Sequence, residues 1–164
     1  MSLYRIKQFY WCITAKLDDE DIKFVNKYLN EEERKLFSML IEYEQKHSIK
    51  VTRDVIKECE KRNIESKELI KAALLHDIGK ITNRLTIIDK SAIVLLDKFT
   101  KGKLKKAKGI KKIEVYYNHG EKGVKLLMPY GYDERLLYLI KNHHNNLIAG
   151  DIELDILRKC DNNN

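Results

Sequence analysis

The chain contains almost nothing that interrupts a helix. It has one proline, Pro129, and seven glycines, the first of which is Gly79. A sandwich or barrel needs turn residues every few positions, so this scarcity points to an all-α fold. The 164 residues and 43% apolar content suffice for one packed core with room for a small helical extension.

Hydrophobic spacing places the helices. Leu3, Ile6, Tyr10 and Ile13 predict an amphipathic N-terminal helix. Asp18 and Asp19 open a second, ending near Leu29, and Asn30 with Glu33 forms a capping box for a third. From there Leu36, Leu40, Tyr43 and His47, then Val51, Val55 and Cys59, predict one long helix or two abutting ones to about Arg62. Ser66 caps the next, with Gly79 as its exit. Ile88, Ala92, Leu95 and Phe99 align on a helix over 87–99. Later helices are expected from about Tyr117 to Met128, from Asp133 to about His143, and from near Asp151 to Cys160. The sum is about eight helices, with residues 1–30 as an extension and 31–164 as the main domain.

Charge is distributed unevenly. Residues 98–112 hold eight lysines and no acid, so this segment carries +8 of a net +7 and leaves the remainder at −1. The segment reads either as a solvated loop or as a positive rim that attracts polyanions such as nucleotides. After Phe99 at its start it has no interleaved aromatics, so sequence-reading nucleic-acid binding is not favoured. Cys12, Cys59 and Cys160 form no CxxC pattern, which suits a reducing compartment. No apolar run approaches the ~20 residues of a membrane span. The N-terminus lacks a clean apolar stretch followed by a cleavage site. The expectation is a cytoplasmic protein, monomeric or homodimeric, with no membrane partner.

The histidines carry the chemical signal. His76 and Asp77 close the apolar run AALL, where both are costly to desolvate unless something satisfies them. A cation does so, because imidazole and carboxylate are its natural ligands. His47 lies on the apolar stripe of its helix. His119 and His143 stand near helix boundaries, and Asp161 ends the last helix. The tyrosines 116, 117, 130 and 132 could stack on a base, although packing is their commoner role. Asp89 and Asp97 read as surface acids.

The order His47, His76-Asp77, Asp161 resembles the HD superfamily of metal-dependent phosphohydrolases. The strings HSIKV, AALLHDIGK and LRKCD carry the likeness, and it spans roughly Leu36 to Asp161. HGEKG and IKNHH are similar to segments of the YqeK-type symmetrical diadenosine tetraphosphatases and of the HD-GYP metal core. The DGxGYP string is absent, and PYGY at 129–132 precedes the histidine pair, so a cyclic-di-GMP phosphodiesterase is disfavoured.

The resemblance implies an HD-domain helical bundle. It implies one metal held by His47, His76, Asp77 and Asp161, with Asp77 bridging to a second metal held by His119 and His143. Two divalent ions (iron, manganese, cobalt or nickel) would activate a hydroxide for in-line attack on a phosphoester or phosphoanhydride of a nucleotide or dinucleotide. Asp77, Lys80 and His144 are the candidate catalytic residues. Lys80 either contacts the substrate phosphate or is a helix-end charge. His144 is a further ligand, a proton donor to the leaving group, or merely exposed. The alternative function is a non-catalytic metal- or nucleotide-binding sensor.

Overall fold

A side-chain oxygen that accepts from a free backbone N–H fixes where several of these helices begin. This computed structural model describes residues 14–107 and 109–164, so the expected N-terminal helix lies outside the described residues. Asp18 caps α1 (Asp19–Tyr28) in a box with Asp21. Asn30 caps α2 (Glu31–Ser38) in a box with Glu33. Both box acids are buried and reach neighbouring helices. Asp21 meets Lys46 and, at 3.1 Å, Arg53; Glu33 meets Lys71 at 2.8 Å. A buried carboxylate left without such a cation would be strongly destabilising.

The chain breaks at residues 39–41, so α2 and α3 (Glu42–Arg62) are two helices. The Gln45 amide donates to the Leu40 carbonyl there at 2.7 Å. Asn63, with φ 52°, ends α3 in the left-handed region. Ser66 caps α4 (Lys67–Leu75), in which Leu69, Ala72, Ala73, Leu74 and Leu75 are all buried. A 3-10 turn (Ile78–Thr82) leads to α5 (Ile87–Phe99), and a second such turn (Lys103–Lys106) leads to α6 (Lys111–Leu127). Pro129 lies in a short turn before α7 (Glu134–Asn142), and α8 (Ile152–Asn162) follows. Arg135 grips Asp151 through two bonds of 2.7 and 2.6 Å and joins the starts of α7 and α8. All described regular structure is helical, with eight α-helices and no strand among the described residues. None of these helices is long and apolar enough to cross a membrane.

Two apolar clusters result. The larger joins α1 to α4 with α7, α8 and the end of α6, through side chains such as Phe37, Ile49, Leu75, Leu139 and Leu157. Cys59 and Cys160 are buried in it as free thiols. The smaller contains, among the described residues, Leu85, Ile93, Ile113 and Val115, with Leu104, Ala107, Tyr116 and Tyr117 packed against them.

Two expectations need correction, and two further groups of residues find their places. First, Gly79 is not a left-handed helix cap but a point of close approach. A Cβ there would stand 1.9 Å from the His119 carbonyl oxygen. Second, α6 begins at Lys111, six residues earlier than its spacing suggested, because Ile113 and Val115 bury against the smaller cluster. The helix over 87–99 forms as its spacing suggested, but its stripe of Ile88, Ala92, Leu95 and Phe99 is exposed, and Ile93 is buried. Asp89 and Asp97 lie at the surface, partly exposed, and each has a partner. Asp89 accepts from Thr86 and pairs with Lys112 at 2.7 Å. Asp97 lies beside Tyr117 and, together with burial, raises the pKa of that phenol.

Candidate metal centre

Five elements bring the sequence-selected residues together. His47 comes from α3, His76 and Asp77 from the end of α4, His119 from α6, His143 and His144 from the end of α7, and Asp161 from α8. The spacing is allowed by glycine. Gly79 seats the turn after Asp77 against the backbone of α6. A Cβ at Gly120 would stand 2.8 Å from the carbonyl oxygens of Ile140 and Lys141, so its hydrogen lets α6 touch α7. At Asn118 the backbone leaves the helical region (φ −120°, ψ 17°), which kinks α6 one residue before His119.

Three histidines share one arrangement. Nδ1 of His76 faces the Ala73 carbonyl at 2.9 Å, and Nδ1 of His143 faces that of Ile140 at 2.6 Å. Nδ1 of His119 faces the Tyr116 carbonyl at 3.1 Å. A carbonyl only accepts, so each Nδ1 carries a proton and each Nε2 is turned inward. That is how a protein orients an imidazole toward a metal.

The inward atoms then meet. Nε2 of His119 and Nε2 of His143 are 3.1 Å apart. Burial lowers the pKa of His119 to about 3 and that of His143 well below its ordinary value, so both rings are neutral at neutral pH, and each has its one proton on the Nδ1 that faces a carbonyl. Two lone pairs at that distance repel unless a cation lies beside both.

The carboxylates complete the arrangement. Asp77 points Oδ2 toward His76 Nε2 at 3.5 Å and Oδ1 toward His119 Nε2 at 3.3 Å. Asp161 Oδ1 is 3.0 Å from His47 Nε2 and 3.5 Å from His76 Nε2. His76 Nε2 and Asp77 Oδ1 are buried without a hydrogen-bond partner. Burial opposes charge on both acids, yet both pKa values are lowered. The Lys80 ammonium and neighbouring imidazoles hold Asp77 down, and His47 and His76 do so for Asp161. Burial also opposes charge on His76, but Asp77 and Asp161 raise its pKa to about 9. The donor atoms of His47, His76 and Asp161 lie within 4.8 Å of one another, as do those of His119, His143 and His144, and those of His76, Asp77 and His143. Nitrogen and oxygen donors in such groups fit a divalent transition metal.

Lys80 lies beside this centre and forms an ion pair with Asp77 Oδ2, and it is not a free helix-end charge. His144 is at the rim, half exposed, with Nδ1 3.8 Å from Asp161 Oδ2 and its ring 4.1 Å from that of His143. The tyrosines are elsewhere. Tyr116 and Tyr117 stack edge to face at the smaller cluster, and Tyr132 packs near Lys71 and Glu33.

Sequence reasoning missed Arg158. Its guanidinium, nearly buried, donates to the carbonyls of Asn142, Asn145 and Ile148 and so holds the loop that carries His143 and His144. An arginine between Leu157 and Cys160, on the apolar side of α8, was the available signal.

The fold and the residues at its centre define a class, an all-helical domain with a buried histidine–aspartate centre able to bind metal. The HD domain family model matches residues 45–162, and the chain belongs to that family. No curated protein and no solved structure matches it.

Proposed function

We propose that the protein is a metal-dependent phosphohydrolase acting on a nucleotide. The observation that carries this reading is the 3.1 Å approach of two neutral, inward-turned imidazole nitrogens, His119 and His143, beside the unpartnered Asp77 Oδ1. Membership in a family that is typically phosphohydrolytic supports it.

His47, His76 and Asp161 would hold one divalent cation, His119, His143 and His144 a second, and the two oxygens of Asp77 would span them. Bound there, such cations supply an acidified water and neutralise the phosphoryl oxygens. Lys80, beside Asp77, would offer its ammonium to a substrate phosphate. His144, at the rim, delivers a proton to the leaving oxygen. Symmetrical dinucleoside tetraphosphates belong among the substrates to try, beside mononucleotides.

The test is a metal-reconstituted preparation screened on nucleotides for phosphate or nucleoside-phosphate release. Turnover should fall at least ~100-fold in His76→Ala and in Asp77→Ala, with helicity retained by circular dichroism. Full activity in both variants, or no turnover with any of iron, manganese, cobalt and nickel, overturns the reading. Tight nucleotide binding without turnover would instead mark a sensor.

A further inference from the structure

The outer face of α5 lies away from the metal centre. Ile88, Ala92, Leu95, Leu96 and Phe99 recur at i, i+4, i+7, i+8 and i+11 and form a single stripe. Of these, Ile88 and Phe99 are each 77% exposed, Leu95 52% and Leu96 49%. The opposite face is the one that packs. Lys90 pairs with Glu44 of α3 at 2.7 Å, Ile93 is buried, and Asp97 meets Tyr117 of α6. The stripe is therefore not a core face turned the wrong way.

Its C-terminal end runs into the lysine segment. Lys98, Lys101, Lys103, Lys105 and Lys106 are exposed and pair with no acid among the described residues. Apolar side chains beside an unneutralised basic run match the chemistry of one surface, an anionic bilayer with hydrocarbon beneath phosphate headgroups. We infer that α5 and the lysines after it dock this protein on an anionic lipid surface, with Leu95, Leu96 and Phe99 entering the interface.

Other occupants fit less well. Nucleic acid would neutralise the lysines and leave four large apolar side chains in water. A second copy would bury a strip only ~16 Å long and ~10 Å wide, far short of the ~800 Å² per partner of a stable interface, and would bring two lysine runs together. The expectation of no membrane partner rested on the lack of a spanning run, and lying on a surface requires none.

The test is co-sedimentation of the full chain with vesicles of phosphatidylcholine alone and of phosphatidylcholine mixed with phosphatidylglycerol. Binding to the mixed vesicles should be at least ~10-fold tighter and should weaken as salt rises. The double variant Leu95→Glu/Phe99→Glu should lose ~10-fold or more. Lys101→Glu/Lys105→Glu should lose as much, since each lysine near such a surface contributes about five-fold. Both pairs are exposed, so circular dichroism and metal uptake should not change. No sedimentation with mixed vesicles at low salt overturns the inference, as does equal binding to neutral vesicles. Undiminished binding by the stripe variant also overturns it. So does a dimer that this variant dissociates while wild type ignores vesicles, or RNA binding in place of lipid binding.

Discussion

The bundle that carries the histidine–aspartate cluster and the arm formed by α5 and the lysine segment are built to different standards. In the bundle, buried charges are closely paired: Asp21 with Lys46 and Arg53, Glu33 with Lys71, and Arg158 with three carbonyls. In the arm, four buried side chains hold α5 down, and its own apolar stripe faces water. The contrast shows where order is needed. Imidazoles must be held to within a fraction of an ångström to share a cation, whereas a docking surface needs only exposure. Local stability should follow the same division.

Substitutions can break or sharpen this contrast. Gly79→Ala should have the largest effect. A methyl group 1.9 Å from the His119 carbonyl oxygen must push α6 away, with a loss above ~4 kcal/mol by chemical denaturation and loss of metal by elemental analysis. Next comes Arg158→Met, which strands three carbonyls at the end of α7. It should cost about 2–4 kcal/mol and weaken metal binding about ten-fold. Third, Ile93→Ala should cost about 2 kcal/mol, confined to faster hydrogen exchange in α5, with metal uptake unchanged. Loss of the metal in that variant would show that arm and bundle are one cooperative unit. Smallest is Asp89→Asn, which removes the tie between α5 and Lys112. Hydrogen bonds from Lys112 and Thr86 lower the pKa of Asp89 to about 2. Its contribution is therefore present in full above the ordinary carboxylate range and is lost as pH falls through about 2. A small melting-temperature deficit at neutral pH should vanish there.

Much of the bundle was legible because its signals are local. The box of Asn30 with Glu33 and the cap at Ser66 act within three residues. The site was legible as an order of residue types, His47, His76-Asp77 and Asp161, whose convergence the structure displays. What the sequence concealed depends on partners far along the chain. Eight lysines disguised the start of α6, because the residues that make Ile113 and Val115 a core face lie in α5 and the segment before it. Periodicity located the stripe of α5 but not the side it faces, since a regular apolar face looks the same whether a neighbour covers it or not. Gly79 resembled a helix stop because the atoms that forbid a side chain there belong to residues 119 and 123.

One feature of the backbone bears on what the centre will accept. His76 is the C-cap of α4 and His143 the C-cap of α7. Both helices therefore direct the negative ends of their aligned peptide dipoles, roughly half an elementary charge each, at the same small volume. The main chain is thus polarised in favour of positive ions whatever the side chains do. Under the proposed function, free phosphate should bind more weakly before cations are added than after.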